Sequence, residues 1–291
     1  MDQSFDNRDG KIWLNGKLID WKNANIHVLN HGLHYASSVF EGERAYKGKV
    51  FKSREHTERL FEAAKTMDMV IPFDIDEILF AKNELLKSNN LSDAYVRPIV
   101  WRGSEMMAVS AQTTKINVSI ASWAWPSYFD PDQKMKGIKL DIAKWRRPDP
   151  ATAPVHVKAA GLYMICTLSK HEAEAKGYSD ALMLDWRGQV AEATGANIFF
   201  KMPDGKLHTP KPDCFLDGIT RRTVISLASQ LGIKTIERAI MPEEMKDAEE
   251  CFLTGTAAEV TPVSEIGGLY NFSPGETSFK LIESYSKLVN K

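Results

Sequence analysis

The chain has 291 residues, 43% of them hydrophobic, which is enough for roughly two domains of about 150 residues with a core in each. Its 37 Lys and Arg nearly balance 38 Asp and Glu, and the net charge of -1 gives no electrostatic reason to expect a nucleic-acid or acidic-membrane partner. A small-molecule substrate is therefore expected. The N-terminus lacks the layout of a signal peptide, and no apolar run approaches the ~20 residues of a membrane span, so we expect a cytoplasmic protein.

The three cysteines, Cys166, Cys214 and Cys251, are far apart and odd in number. This spacing supports neither a disulfide framework nor a Cys-x-x-Cys metal site. We expect all three to be reduced and buried.

Residues 1–125 predict a small α+β domain. Asn15-Gly16 and Lys47-Gly48 occupy turn positions between apolar runs and indicate two hairpins. The stretch SREHTERLFEAAKTMDM predicts a helix with Ser53 as its N-cap, and DIDEILFAKNELLKSNN predicts a second helix. Two strands follow in AYVRPIVW and KINVSIASWAW, and they complete the domain.

Residues 126–136 are predicted to form an interdomain linker, because PSYFDPDQKMKG has two prolines and no periodicity. Residues 137–291 then predict a larger domain in which strands and helices alternate. Strands are expected in IKLDIAKW, ALMLDW, ANIFF, KTIERAI and CFLTG, and helices in GLYMICTLSKHEAEAKG and TRRTVISLASQLG. Gly177 and Gly232 stand where these helices should end.

Lys158, in TAPVHVKAAGLYM, lies between a β-branched run and small residues that lead into a helix. A lysine in this position is either an exposed loop residue or an amine held in a site. A partly desolvated lysine has a lowered pKa and can form a Schiff base with an aldehyde cofactor. The small residues and the helix after Lys158 fit such a packed setting.

A pyridoxal phosphate site also needs a carboxylate for the ring nitrogen and donors for the phosphate. Glu192 lies between two apolar runs in VAEATGANIFF, where a charge needs a cationic partner. Gly218, Ile219 and Thr220 open a helix whose first amides form an anion site. The small, hydroxyl-rich turn in LTGTAAEVTPV suits close approach by a ligand. Each feature also has a structural interpretation: a turn glutamate, a threonine N-cap and a packing turn.

The motifs Lys-x-x-x-x-Tyr, Glu-x-Thr-x-x-Asn, GITR and GTAAEVTPV follow one another, with HYASSVFEGERAY, REHTERL and YVRP upstream. In this order they closely resemble the branched-chain aminotransferases, pyridoxal phosphate enzymes of fold type IV, across nearly the whole chain. The resemblance implies an α+β fold of two domains, the larger with a β-barrel-like sheet and helices. It implies amino-group transfer between leucine, isoleucine or valine and 2-oxoglutarate by a ping-pong mechanism, with pyridoxal 5′-phosphate as cofactor and no metal.

The resemblance also implies a role for each matching position. Lys158 is the Schiff-base lysine and moves the proton between the α-carbon and C4′ of the cofactor. Glu192 binds the pyridine nitrogen, and Tyr163 binds the ring oxygen. The phosphate is bound at Arg59, Ile219, Thr220 and Thr256. The substrate positions are Tyr95, Thr256 and Ala257 for the α-carboxylate, Tyr35, Phe40 and Gly42 for the side-chain pocket, and Arg97 for the distal carboxylate of glutamate, with Arg44 as the next candidate.

Members of this family are homodimers or larger, with Tyr35 and the loop around Val109 reaching the partner's site. The stretch WRGSEMMAVSAQ, residues 101–112, departs from the family pattern because it carries Arg102, Glu105 and two methionines. The linker is only loosely similar, with Tyr128 where a partner-site tyrosine is expected. The chemistry is therefore better defined than the substrate range.

Two relatives of the same fold stay open as alternatives. D-amino acid transaminases and aminodeoxychorismate lyases share Lys158 and Glu192, so these two residues do not separate the three activities. The upstream stretches SSVFEGERAY and YVRP match the branched-chain group better.

Two other protein classes are weaker alternatives. His27, His31 and His34 in HVLNHGLHY could hold zinc if the stretch were helical, but Asn30 and Gly32 argue against that helix. Histidines that line a turn are the ordinary interpretation. A dimeric binding module that uses exposed tryptophans applies only if no cofactor binds.

Overall fold

The computed structural model of the chain describes residues 4–125 and 135–291. Residues 4–125 group with Val157–Gly161 in a first compact unit, and residues 135–156 group with Leu162–Lys291 in a second. Most of the expected linker 126–136, including Tyr128, lies outside the described residues. The domain boundaries drawn from the sequence stay a prediction.

The first unit is built on a seven-stranded sheet in the order β2-β1-β7-β6-β4-β5, with β3 also paired to β6. Its strands are β1 (Lys11–Leu14), β2 (Lys17–Asp20), β3 (Ser38–Phe40), β4 (Glu43–Tyr46), β5 (Lys49–Val50), β6 (Ala94–Arg102) and β7 (Ile116–Ala124). Both expected hairpins form. Their turn residues Asn15, Gly16, Lys47 and Gly48 have φ values of 47°, 89°, 50° and 80°, as a two-residue hairpin turn with both central residues left-handed requires.

The helices of the first unit are α1 (His31–Tyr35), α2 (Ser53–Thr66) and α3 (Ile75–Ser88), with a 3-10 turn at Trp21–Asn23. The expected N-cap at Ser53 is wrong, because the cap is Lys52, in the left-handed region at φ 50°, and Ser53 is already helical. Helix α3 begins with a capping box, in which Asp74 accepts from the Glu77 amide and Glu77 accepts from the Asp74 amide.

The second unit has a nine-stranded sheet, ordered β10-β9-β8-β15-β14-β11-β12-β13, with β16 paired to β15. The strands are β8 (Ile138–Ile142), β9 (Asp180–Leu184), β10 (Val190–Ala193), β11 (Asn197–Lys201), β12 (Leu207–Pro210), β13 (Thr235–Arg238), β14 (Glu250–Gly255), β15 (Glu259–Ile266) and β16 (Tyr270–Asn271). Because β10 also pairs with β11, the six strands from β10 through β11 close into a barrel. The expected fold class, with a barrel-like sheet in the larger part of the chain, is confirmed.

The helices of the second unit are α4 (Met164–Ala175), α5 (Ile219–Gln230) and α6 (Glu276–Val289), with a 3-10 turn at Pro242–Asp247; another 3-10 turn, Ala160–Tyr163, begins in the first unit and ends in the second. Gly177 and Gly232 follow α4 and α5 with φ values of 85° and 74°, so both glycines end helices as expected. Leu182, Ile198 and Val263, all fully buried, belong to the apolar core of the barrel.

The three cysteines are buried, and no two of them form a disulfide, as expected. Among the described residues, none of the helices reaches the length and apolarity needed to cross a bilayer.

Candidate active site

Lys158 is fixed to the sheet of the first unit by its backbone. The Phe40 amide donates to the Lys158 carbonyl over 3.1 Å, and Ala159 forms a β-bridge with Val39. The half-buried lysine side chain places Nζ 4.9 Å from the centroid of the Phe40 ring. An amine against an aromatic face is the partly desolvated setting expected from the sequence.

Arg97 and Tyr95 join Lys158 around Phe40. They are two residues apart on β6 and lie on one face of it, because side chains alternate along a strand. The Arg97 guanidinium lies 4.9 Å from the Phe40 centroid and 5.2 Å from the Tyr95 centroid, and its Nη2 donates to Tyr95 Oη over 3.2 Å. The structure therefore brings together four residues that the sequence assigned to one site.

Gly42 belongs to the same group, because the absence of a side chain there leaves room for the Tyr95 hydroxyl. A Cβ built on Gly42 would lie 2.0 Å from Tyr95 Oη and 2.9 Å from its Cζ. The Tyr95 ring also packs against Trp123 and Trp125, with centroid distances of 5.1 and 5.0 Å. Glycine at position 42 thus allows the Tyr95 hydroxyl to take its position.

Arg59 lies on α2, where a buried carboxylate fixes it. Its Nε and Nη2 donate to the two oxygens of Glu41 over 2.6 and 2.8 Å, and His56 Nδ1 lies 2.8 Å from Glu41 Oε2. Burial alone would raise the pKa of Glu41, but the charges of Arg59 and His56 outweigh burial and hold that pKa well below its usual range. The bidentate pair gives the guanidinium a defined orientation, as an anion-binding arginine requires. Phosphate binding by Arg59 stays a prediction.

Tyr35 ends α1 with 46% of its surface exposed, and its ring stacks on His31 at 4.5 Å. The zinc alternative needed three histidines on one helix, but α1 begins only at His31. Each imidazole is instead bonded to the backbone: His27 to the Leu29 amide, His31 to the Ala108 carbonyl and His34 to the Val28 carbonyl. These contacts match the ordinary interpretation of histidines in a turn.

Glu192 lies on β10 in the second unit and is 8% exposed. Its Oε1 is 3.3 Å from Arg147 Nε, and its Oε2 accepts from Asn197 Nδ2 over 3.1 Å. Glu192 is thus a buried carboxylate with a cationic partner, while its expected bond to the ring nitrogen of a cofactor stays a prediction. The cation is Arg147, which the sequence analysis did not assign.

Arg147 is 4% exposed and lies just after β8 in the chain. Burial, the largest single influence, would lower its pKa, but the Glu192 carboxylate together with smaller contributions from Cys166, Tyr163 and Cys214 outweighs burial, and the pKa is raised. Its Nη1 also lies 3.4 Å from Cys166 Sγ. In the sequence, Arg147 stands in the charged stretch KWRRPDP, which is typical of an exposed loop. Nothing in this stretch indicates that Arg147 is buried while its neighbour Arg146 is exposed.

Ile219 and Thr220 begin α5 and are 3% and 4% exposed. The cap is Gly218, which has no side chain to accept from their amides, and the first turn has no acidic residue. The first amides of a helix have no partner within it and carry its positive end. This helix start is therefore suited to an anion.

Thr256 and Ala257 lie in the turn between β14 and β15 and are half-buried. The two strands pair up to Gly255 and Glu259, and Thr261 Oγ1 donates to the Ala258 carbonyl over 2.6 Å, which fixes the turn. Tyr163, at the start of α4, is also half-buried. The roles assigned to these three residues stay predictions.

Comparison with known proteins connects this geometry to one family. The family described as amino-transferase class IV matches residues 38–266. A "probable branched-chain-amino-acid aminotransferase" of Rickettsia conorii is 43% identical over 285 residues, which cover 96% of each chain. The crystal structure of the Escherichia coli branched-chain amino acid aminotransferase has a TM-score of 0.93 at 35% identity, over 97% of this chain and 95% of the other. The T.th. enzyme of the same name, complexed with N-(5′-phosphopyridoxyl)-L-glutamate, has a TM-score of 0.92 at 35% identity, with the same coverage.

Proposed function

Since this chain belongs to the class IV aminotransferase family, we propose that it transfers the amino group between leucine, isoleucine or valine and 2-oxoglutarate, with pyridoxal 5′-phosphate as cofactor. The observation that carries the proposal is the group around Phe40. An amine, Lys158, and a guanidinium, Arg97, each lie 4.9 Å from the same aromatic ring. The group thus combines a reactive lysine with an apolar surface, which suits the side chain of leucine, and a cation, which suits the side chain of glutamate.

The described residues fit this cofactor. Glu192 is a buried carboxylate that can accept from a protonated ring nitrogen. The start of α5 has no capping side chain, and its first turn has no acidic residue, which suits a phosphate site. When bound, the cofactor supplies an electron sink for the charge that develops at the amino acid α-carbon.

We assign the chemistry to residues of this chain. Lys158 carries the cofactor and moves the proton at the α-carbon, because an amine within reach of that carbon can act as both base and acid. Glu192 keeps the ring nitrogen protonated, and Tyr163 donates to the ring oxygen. The phosphate is assigned to Arg59, Ile219, Thr220 and Thr256.

Arg97 explains how one pocket accepts both leucine and glutamate. An apolar pocket rejects a carboxylate because desolvation of the charge is unfavourable, unless a fixed cation meets it. Arg97 provides that cation over the Phe40 ring, whereas leucine needs only an apolar surface. One relative, the T.th. enzyme, was solved with a glutamate adduct and also with 4-methylvaleric acid, which is apolar beyond its carboxylate. The α-carboxylate is assigned to Tyr95, Thr256 and Ala257, and the side-chain pocket to Tyr35, Phe40 and Gly42.

We further propose that the protein acts in the cytoplasm as a homodimer or a larger assembly of dimers. In the first unit, Val28, Leu33 and Val109 are 66%, 63% and 87% exposed, although each is apolar. Apolar exposure on this scale marks interaction surfaces. Sedimentation of the active enzyme tests the assembly, and full specific activity in a monomer contradicts it.

A visible absorption scan of the purified protein tests cofactor and reaction together. We expect a yellow protein whose band shifts on addition of L-leucine or L-glutamate, and whose original band returns with 2-oxoglutarate. D-alanine and D-leucine serve as controls and should leave the band unchanged. A response to the D-amino acids alone would assign the protein to the D-amino acid transaminases, and a colourless protein that takes up no pyridoxal phosphate would overturn the proposal.

A further inference from the structure

Asn197 is the last residue of the motif Glu-x-Thr-x-x-Asn, and the proposed function assigns it no role. It begins β11, directly opposite Glu192 of β10 in the strand register, and it is 4% exposed. We propose that Asn197 is a positioning residue, which sets the Glu192 carboxylate for the ring nitrogen of the cofactor and connects it to the start of α5. The inference rests on the function proposed above.

The side-chain amide of Asn197 has three partners at once. Nδ2 donates to Glu192 Oε2 over 3.1 Å and to the Leu216 carbonyl over 3.0 Å. Oδ1 accepts from the Gly218 amide over 3.2 Å. A carbonyl and an N–H of the backbone therefore fix which way the amide faces, since the reverse orientation would bring oxygen to oxygen at Leu216. Only this orientation directs a donor at Glu192.

Glu192 is consequently held at both oxygens by different residues. Arg147 Nε lies 3.3 Å from Oε1, while Asn197 bonds Oε2. Arg147 balances the charge of the carboxylate. The Asn197 amide is neutral, so it adds no counter-charge, and its hydrogen bond fixes the orientation of the carboxylate. Loss of the amide would leave Glu192 paired with Arg147 but free to turn away from the ring nitrogen.

The second connection runs from Asn197 to the segment before α5. Gly218 caps that helix, and a Cβ on Gly218 would lie only 2.2 Å from Asn197 Oδ1. The approach is close enough that a movement of either residue moves the other. Asn197 thereby links the carboxylate assigned to the ring nitrogen with the amides assigned to the phosphate.

The test compares Asn197→Asp and Asn197→Ala with a matched control, Thr209→Val. Asn197→Asp keeps an acceptor for the Gly218 amide but replaces the donor to Glu192 with a second carboxylate oxygen. Thr209 is fully buried in β12, and its hydroxyl donates to the Ile198 carbonyl, the neighbour of Asn197, over 2.8 Å. The control therefore removes a buried hydrogen bond from the same part of the sheet without a change at Glu192.

Two readouts do not depend on turnover. The first is the dissociation constant of pyridoxal phosphate, from absorbance titration of each apoprotein. The second is the pH at which the visible band of the bound cofactor changes. We expect both Asn197 variants to bind the cofactor about 10–100-fold more weakly, the range seen when a residue that orients a metal ligand is lost. We expect the pH at which the visible band changes to rise. A cofactor ring whose nitrogen is protonated less often carries less positive charge, so the group that titrates beside it keeps its proton to a higher pH. Thr209→Val should match the wild type in both readouts.

Asn197→Asp is the decisive variant, and it is also the one that keeps the Gly218 contact if Asn197→Ala fails to fold. Wild-type affinity and an unchanged pH of the band change in Asn197→Asp would overturn the inference, because Asn197 would then act through the backbone alone. An equal loss of affinity in Thr209→Val would also overturn it. A wild-type protein that binds no pyridoxal phosphate would overturn the proposed function and this inference with it.

Discussion

Gly42→Ala should impair substrate binding although it adds a single methyl group. Gly42 has no left-handed φ, so its backbone accepts alanine, and the obstacle is the Tyr95 hydroxyl. The new Cβ would lie 2.0 Å from Tyr95 Oη, whereas real Cβ contacts are essentially never under 3.0 Å. The hydroxyl must therefore move by about 1 Å or more. Trp123 and Trp125 confine the ring on which it sits.

A misplacement of about 1 Å near reacting groups can reduce the rate about 10²-fold, which corresponds to about 2.7 kcal/mol of transition-state stabilisation. Because Tyr95 is assigned to the α-carboxylate, which all amino acid substrates share, kcat/KM should fall by the same factor for L-leucine and L-glutamate. The extra methyl in a packed site should also lower the free energy of unfolding by about 1–3 kcal/mol, measured by urea denaturation.

The matched control is Tyr95→Phe, which removes the hydroxyl and keeps the ring. If Gly42→Ala acts by displacement of that hydroxyl, its effect on kcat/KM should be much smaller in the Tyr95→Phe background than in the wild type. Equal effects in both backgrounds would refute the reasoning, and so would a Gly42→Ala enzyme with wild-type kcat/KM for both substrates.

Four further substitutions test other parts of the molecule. Lys158→Ala should lower the steady-state rate with L-leucine by about 10²–10⁴-fold or more, through loss of the acid–base group, with an unchanged circular dichroism spectrum; a near wild-type rate would show that the assignment is wrong. Glu192→Gln should retain the cofactor but slow the single-turnover half-reaction, and an unchanged kcat with a lost cofactor would make Glu192 structural. Arg97→Leu should weaken the binding of glutamate and 2-oxoglutarate by roughly 2–5 kcal/mol and leave that of leucine unchanged, when the two half-reactions are measured separately. Equal losses for both substrates would show that another cation binds the distal carboxylate. Glu250→Ala should lower the free energy of unfolding by about 1–3 kcal/mol in urea, because buried Glu250 accepts from the amides of Thr277 and Ser278 at the start of α6; an unchanged midpoint would contradict this.

Local signals in the sequence predict local structure well in this chain. The two hairpin turns form where a glycine, Gly16 or Gly48, takes left-handed backbone at the second turn position, and at Asn15 the asparagine also tolerates it. The N-cap of α2 is different, since Lys52 takes the left-handed conformation there without a side-chain bond, which no propensity of lysine indicates. Helix α6 was not predicted at all, and its start is stabilised by Glu250, from a distant strand.

The closure of the barrel could not be derived from local pattern either. It depends on pairings between strands far apart in the sequence, such as the parallel pairing of β8 with β15. Only the resemblance to a known family supplied that feature, and the family and the fold class are confirmed by the class IV match and the solved relatives.

The candidate site shows the same division. Motifs identified Lys158 and Glu192, whose residue types are required by the chemistry. Arg147 and Asn197 contact Glu192, and the reason for their residue types lies in contacts that exist only in the folded chain. Such residues become visible once burial and distance are known.

Alternate residues of the segment 40–43, which joins β3 to β4, make two different kinds of contact. Phe40 and Gly42 contact the candidate site, through the amine of Lys158 and the hydroxyl of Tyr95. Glu41 and Glu43 instead form ion pairs with the helices, Glu41 with Arg59 on α2 and Glu43 with Lys82 on α3, at 2.6 Å in each case. Both glutamates and Lys82 are completely buried. The two sides of one short segment therefore have opposite chemistry.

Buried ion pairs are poor stabilisers, because desolvation of the two charges offsets their attraction. Their value here lies in register. A shift of the segment by one residue would exchange its two sides and leave Lys82 buried without its carboxylate, at a cost of about 3–5 kcal/mol. The same shift would remove Phe40 from Lys158 and Arg97. The glutamates thus fix the register of the segment that brings Phe40 and Gly42 to the candidate site.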